Sequence, residues 1–569
     1  MTSRPPAGRL VGLFVVLTLS LGAVAARLVM LRVRDADELR ALARDQRVRE
    51  IARPAQRGTI YDRDRHSLAI SVPAKAVYAN PSLVESPDRV AERLAQVLDQ
   101  PERVLHDALT SGGTFVYLAR RVDLSVADRI ERMQLPGIHF LDESKRYYPG
   151  GDLAAQVLGF VGVDDVGLAG IELQYEDLLS GRPGRLVIEQ DPQGRTIPQG
   201  ERRSVAPVPG RDVVLTIDRD LQFQAQRALE GAVRANGARG GTVIVMRPQT
   251  GEILAMASAP SFDANAFDES SPQATRNRSV TDVYEPGSVN KVITISAALE
   301  EGIVDVRRTF SVPGTVRVAD ELFHESHPHP PMAMTVTDIL AQSSNVGTIQ
   351  IAQQLGAERL DRYLRAYGFG RSTGVGFPGE ADGILKQVEK WWGTSLGTIP
   401  IGQGIAVTPL QMVSVYATIA NGGVRVPPRL IRGTIDSDGT VLPAPPAEPR
   451  RVVSERTARH VAGMLAQAVQ AGTGREAQIP GYWVAGKTGT ARKPLEDALG
   501  YSDQYVASFI GFVPARDPQL VVAAIIDEPT TVFGGIAAAP LFRDVVRFAL
   551  AQLRIAPTSR PRIPPTLVE

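Results

Sequence analysis

The sequence predicts an α+β fold, on two observations. Two antiparallel hairpins stand far apart in one long region, and helical stretches fill the space between them. A third observation, an uncharged apolar run near the start, adds a membrane anchor. With 569 residues the chain has length for two to four domains. Hydrophobic residues make up 43% and charged residues 22%, which excludes a disordered or fibrous class for most of the chain. The 63 basic and 62 acidic residues leave a net charge of +1 and no whole-chain argument for nucleic-acid binding. Cysteine is absent, which excludes disulfides, a thiolate nucleophile and Cys-ligated metal. Only seven of the basic residues are lysines, against 56 arginines, so a lysine that chemistry requires stands out.

Taken in order, residues 1–9 form a short stub expected on the cytoplasmic side, and residues 10–31 form the anchor. Leu10 to Ala26 is uncharged, and Leu28 to Leu31 extends it around Arg27. A cleavable signal peptide is the rival, with Ala23-Val24-Ala25 as its cleavage site. The apolar run continues past that site and favours an uncleaved anchor. Arg4 and Arg9 before the run are matched by Arg27, Arg32 and Arg34 after it, so charge counting does not set the orientation. No second long apolar run occurs, which places everything after Arg32 on one side. An amphipathic stretch, Ala36 to Gln46, reads as a helix continuing towards Arg57.

Residues 32–210 read as a mosaic of short strands, turns and helices. Pro87 to Leu98 and Ser125 to Met133 have helical periodicity. Gly181-Arg182-Pro183-Gly184 and Pro207-Val208-Pro209-Gly210 punctuate the region, and a domain boundary is expected near Pro209-Gly210. Beyond it, Leu221, Ala225, Leu229 and Val233 lie four apart, the mark of a helix with one buried face, stopped by Asn236-Gly237. Thr242–Met246 and Glu252–Met256 flank a turn and form the first hairpin, and Val506–Val513 with Leu520–Ile526 form the second. A last helix is expected over Pro540–Leu553, and the tail after residue 555, with Pro557, Pro561, Pro564 and Pro565, is expected to be disordered.

Three motifs carry chemistry. Ser288-Val289-Asn290-Lys291 follows Pro286-Gly287 and opens a largely apolar run to Gly302. At i and i+3 its serine and lysine share one helix face, where a desolvated lysine is able to accept the serine proton. Alone the pattern also fits a surface helix. Ser343-Ser344-Asn345 follows a helix-like stretch, and alone it reads as a cap or turn. Lys487-Thr488-Gly489-Thr490 is the third. Gly481 to Thr488 also matches the phosphate-binding loop G-x-x-x-x-G-K-[ST]. No strand precedes it, Tyr482-Trp483-Val484-Ala485 is too bulky for an amide cradle, and Gly489 and Pro494 leave little room for a helix. A strand carrying Lys487 to a site edge fits better.

Together and in this order, S-x-x-K, S-x-N and K-T-G resemble the signature of the penicillin-recognising serine acyl enzymes. The resemblance spans roughly residues 10–553. Arg57-Gly58 with Asp62-Arg63, Arg146-Tyr147-Tyr148-Pro149 and Gly167 to Glu172 resemble the non-catalytic part of class B penicillin-binding proteins. Gly402-Gln403-Gly404 and Thr408-Pro409-Leu410-Gln411 are similar to their catalytic part. Arg65 departs from the opening motif, which often has Gly there. Within the class the chain resembles the division-specific FtsI type (penicillin-binding protein 3), with the elongation type as close rival.

The resemblance implies a pedestal domain over residues 32–210 and a transpeptidase domain over 211–555, with a central antiparallel sheet and flanking helices. It implies a peptidoglycan D,D-transpeptidase in which Ser288 attacks, Lys291 takes its proton, Ser343 relays a proton and Asn345 holds the substrate amide. Lys487 would support the electrostatics, with Thr488, Gly489 and Thr490 binding substrate. Stem peptides are then the substrate and β-lactams covalent inhibitors. A membrane glycan polymerase and other division proteins are the implied partners. A division scaffold, a β-lactamase and a β-lactam sensor are alternatives. No cofactor or metal is called for. His324, His327 and His329 form H-x-x-H-x-H, but Pro328, Pro330 and Pro331 prevent helical presentation of ligands, so Leu322 to Pro331 reads as a solvated loop.

Overall fold

The computed structural model describes residues 7–33, 48–189, 197–198, 202–436, 438–495 and 500–558. The chain divides into two compact units, residues 1–56 with 181–209 and residues 57–180 with 210–569. The first holds helix α1 (Ala7–Val33) and a three-stranded antiparallel sheet of Val48–Arg53, Gly184–Glu189 and Arg202–Val205. Among the described residues α1 is the one helix long and apolar enough to cross a membrane. The expected helix towards Arg57 is not continuous, because Val48–Arg53 is a strand. Its partner strand lies more than 100 residues away, and periodicity does not register such a pairing. Ala36 to Gln46, most of the proline-rich tail and part of the N-terminal stub lie outside the described residues.

In the second unit, Ser67–Ala79 pairs with Val116–Asp123 and with Ile138–Tyr147. Helices Pro87–Leu98 and Leu124–Glu131 pack there through Val90, Leu94, Ala127 and Ile130, close to the predicted spans. The three quoted motifs of this region meet in one buried ion network. Glu172 accepts from Arg57 Nε at 2.7 Å and from Arg146 Nε at 2.6 Å. Arg146 also holds the Gly58 carbonyl at 2.8 Å. Arg57 Nη2 also pairs with Glu176 at 2.7 Å, so two guanidinium groups balance two carboxylates and tie distant segments together, and removing any member leaves a charge uncompensated. Arg65, the departure from the motif, stands at φ 67°, the left-handed backbone that glycine adopts without strain.

The site rests on a five-stranded antiparallel sheet of β1 (Gly240–Met246), β2 (Ile253–Ala259), β3 (Ala485–Pro494), β4 (Tyr501–Val513) and β5 (Leu520–Asp527). The strand order is β2-β1-β5-β4-β3. Both predicted hairpins are present, β1 with β2 and β4 with β5. Alternation along β1 divides the core: Val243 and Val245 face one apolar layer, Ile244 and Met246 the other. The first layer holds α2 (Arg219–Ala235), whose Leu221, Ala225 and Leu229 are fully buried. Asp218 caps its start by accepting from Leu221 N at 3.0 Å.

The second layer holds α3 (Lys291–Glu300), α4 (Asn345–Leu355) and helix Pro409–Ala420. The last helix, α5 (Gly534–Gln552), starts six residues before the expected Pro540. Ala537, Ala538 and Ala539 bury against the sheet layer, and this packing outweighs the cost of a proline inside the helix.

Candidate active site

Three separate elements converge on one point. The first is a 3-10 turn, Gly287–Asn290, that leads directly into α3. In this geometry residues i and i+3 eclipse, which aligns Ser288 with Lys291. Ser288 is half-buried and Lys291 fully buried. The turn is fixed from behind. Gly287 N donates to Gly402 O at 2.9 Å, Asn290 Nδ2 donates to Ile399 O at 2.8 Å, and Gly404 N donates to Glu285 at 2.8 Å. The Gly402-Gln403-Gly404 stretch is thus the floor under Ser288. Gly402 stands at φ +83°, and a Cβ there would fall 2.1 Å from Gly287 O. Thr408 and Gln411 form a capping box on the next helix, from which Tyr416 reaches the Val289 carbonyl at 3.1 Å.

The second element is Ser343-Ser344-Asn345. The cap reading holds for the middle residue, and the two residues beside it reach Lys291. Ser344 is the N-cap of α4, accepting from Gly347 N at 2.9 Å. Ser343 stands at φ 64°, unusual for a residue with a side chain, and turns both its carbonyl and its hydroxyl onto Lys291. Lys291 Nζ lies 2.6 Å from Ser343 O, 3.2 Å from Ser343 Oγ and 2.6 Å from Asn345 Oδ1. Burial lowers the Lys291 pKa to about 7, against the opposing charge of Glu325.

The third element is β3, the sheet edge beside the Ser288 turn. Gly489 permits this approach, because a Cβ there would lie 2.3 Å from Ser508 Oγ and 3.1 Å from Pro286 O. Lys487 is fully buried on this strand, and burial followed by the charge of Lys291 pushes its pKa well down. Thr488 Oγ1 lies 2.8 Å from Thr473 Oγ1, and Thr490 Oγ1 accepts from Gly534 N at 3.1 Å. Thr488 lies inside β3, which continues to Pro494 where a phosphate-binding loop would open a helix.

Sequence reasoning missed Glu325. Glu321–His324 is a strand paired with Thr315–Val318, and Glu325 after it is half-buried as a residue, with only 4% of its side chain exposed. The solvated-loop reading of Leu322 to Pro331 therefore fails at this residue. A lone carboxylate in a polar, proline-rich stretch carries no signal of burial. His324 is exposed, and among the described residues no group of three or more His, Asp or Glu is placed to hold a metal.

Two family models match the chain. "Penicillin binding protein transpeptidase domain" covers residues 241–547 and "Penicillin-binding Protein dimerisation domain" covers residues 52–215. The chain is similar to the penicillin-binding protein PbpB of Mycolicibacterium smegmatis, with 37% identity over 95% of this chain and 90% of that protein. It is also similar to the peptidoglycan D,D-transpeptidase FtsI of Escherichia coli K12, with 35% identity over 90% of this chain and 86% of that protein. Among solved structures it resembles penicillin-binding protein 3 from Mycobacterium tuberculosis complexed with aztreonam. The TM-score is 0.71 and the identity 31%, covering 89% of this chain and 98% of that one. These matches take in the pedestal motifs as well as all three site elements, and the chain belongs to the class B penicillin-binding proteins.

Proposed function

We propose that this chain is a peptidoglycan D,D-transpeptidase of the FtsI type that cross-links stem peptides at the division septum through an acyl-enzyme on Ser288. The observation that carries the residue roles is the surrounding of Lys291. Its two 2.6 Å neighbours, Ser343 O and Asn345 Oδ1, are carbonyl oxygens that only accept. A neutral amine has two N–H groups and one lone pair. With both N–H groups donated to those carbonyls, the lone pair is left for a hydroxyl proton, from Ser288 or from Ser343. Ser288 Oγ then attacks the carbonyl between the terminal D-alanines while Lys291 takes its proton.

The C–N bond breaks, Ser343 passes a proton to the departing D-alanine, and Asn345 holds the substrate amide. Lys487 supports the electrostatics of the site, and Thr488 and Thr490 bind the terminal carboxylate beside Gly489. The backbone N–H groups of Ser288 and Thr490 stabilise the oxyanion, a donor pair of which each member contributes roughly 10²–10³ in rate. An amine of a neighbouring stem peptide resolves the ester. β-Lactams acylate the same serine.

In this reading residues 10–31 anchor the chain in the plasma membrane, with the catalytic part outside the cytoplasm. Residues 32–210 serve as pedestal and 211–555 as transpeptidase domain, and a membrane glycan polymerase and other division proteins are the partners. Mass spectrometry of the full chain after labelled penicillin tests the site. A single adduct on the Ser288 peptide, lost in folded Ser288→Ala, is expected. An adduct elsewhere, or none in folded wild-type protein, refutes the assignment. Imaging a tagged copy at midcell tests the septal role, and a lateral-wall distribution would support the elongation type instead.

A further inference from the structure

The Glu325 side chain is buried at a place where a carboxylate has specific work. Its oxygens accept from Asn345 N at 2.8 Å, from Val346 N at 3.2 Å and from the Ser344 hydroxyl. These backbone groups are among the unpaired donors at the N-terminus of α4, whose partial positive charge favours an anion. The residue before it grips the same asparagine, since Asn345 Nδ2 donates to His324 O at 3.1 Å. The remaining atom of that amide, Oδ1, meets Lys291 Nζ. Three ionisable groups lie around this carboxylate. Lys291 and Lys487 come from α3 and β3, and His329 comes from Glu325's own segment, with Nε2 at 3.9 Å. His329 Nδ1 lies 2.7 Å from Pro330 O and donates to it, which leaves Nε2 facing Glu325.

We infer that Glu325 is a positioning residue for acyl transfer: its carboxylate clamps the start of α4, fixes the Asn345 amide against Lys291, and sets a negative charge behind that lysine. The inference rests on the roles given above to Ser288 and Lys291. It separates two effects. The clamp governs how fast acylation runs once Lys291 is neutral. The charge governs the pH at which Lys291 becomes neutral, because an anion favours the protonated amine and opposes the effect of burial.

The test is the acylation rate of the full chain in detergent with a fluorescent penicillin, followed across pH, with the Ser288 adduct verified by mass. Glu325→Gln presents an amide where N–H groups need acceptors and removes the charge. It is expected to lower the plateau rate about tenfold or more and to move the rising limb to lower pH by about half a pH unit or more. Glu325→Asp keeps the charge on a shorter arm, and is expected to restore the wild-type limb with a plateau still below wild type. A Gln variant with a lowered plateau and an unmoved limb marks a purely structural cap and overturns the inference. If Gln does not fold, an Asp variant with the wild-type plateau overturns it equally. Absence of a Ser288 adduct in the wild-type chain refutes the site assignment itself, and so is distinct from either result.

Discussion

Gly402→Ala is the substitution whose consequence the structure specifies most closely. Gly402 holds φ +83°, and a Cβ on it would lie 2.1 Å from Gly287 O, 2.5 Å from Gly287 N and 2.7 Å from Gly287 C. All three atoms are backbone of the residue before Ser288, so no side chain is able to swing away. Gly287 is tied to this same segment, its N–H donating to Gly402 O at 2.9 Å, so the collision falls on the contact that holds the turn. The left-handed conformation alone costs alanine about 1–2 kcal/mol. Relieving the collision takes roughly 1 Å of backbone movement at the nucleophile, and a misplacement of about 1 Å costs on the order of 10² in rate.

Gly404→Ala is the matched control. It has φ +73°, and its nearest foreign atom is the Thr398 hydroxyl at 3.3 Å. It therefore carries the strain without the backbone collision. Both variants are expected to lose stability in thermal melts, Gly402→Ala the more, whereas only Gly402→Ala loses about 10² in the rate of Ser288 acylation by labelled penicillin. Equal acylation rates for the two variants would refute the claim that the Gly402 segment sets the position of the nucleophile.

Two further outcomes follow from local geometry. Burial lowers the Lys291 pKa to about 7, and in the proposed mechanism its neutral form is the base, so acylation is expected to rise with pH through that value. Between pH 6 and pH 5 the rate is expected to fall about tenfold, and a stopped-flow profile that stays flat down to pH 5, or rises only near pH 10, contradicts the assignment. Arg65→Gly relieves the left-handed residue at φ 67° in the pedestal and is expected to stabilise the protein by about 1 kcal/mol. A melting temperature below wild type, with acylation unchanged, shows that this turn is not strained.

Much of the fold was legible because its signals are local. The four-residue spacing of Leu221, Ala225 and Leu229 marks a helix with one wet face, and α2 is that helix. Strand pairs joined by short turns were legible for the same reason, their partners being neighbours in sequence. Val48–Arg53 was not, because its partner strand begins at Gly184. The start of α5 was misplaced because Pro540 is a strong local stop signal, whereas the burial of Ala537 to Ala539 is a property of the sheet they meet. In the site, scarcity drew attention to Lys291 and Lys487, and motif order joined them to Ser343 and Asn345. Glu325 had no such marker, being one acidic residue of 62 in a segment that otherwise reads as solvated.

The sequence by itself determined the α+β class, the apolar N-terminal helix, the hairpins and the three motifs proposed to bear the chemistry. Periodicity, turn residues and side-chain type act within a few residues of one another. Only the tertiary structure decided which of those residues meet. Lys291 becomes a weakly basic amine because the segments packed around it exclude water, and residues 343–345 separately offer its nitrogen two carbonyl acceptors. Whether Glu325 is solvated or a clamp depends on where α4 begins in space. Desolvation and hydrogen bonding between segments far apart in the chain are set by packing, and no local pattern encodes them.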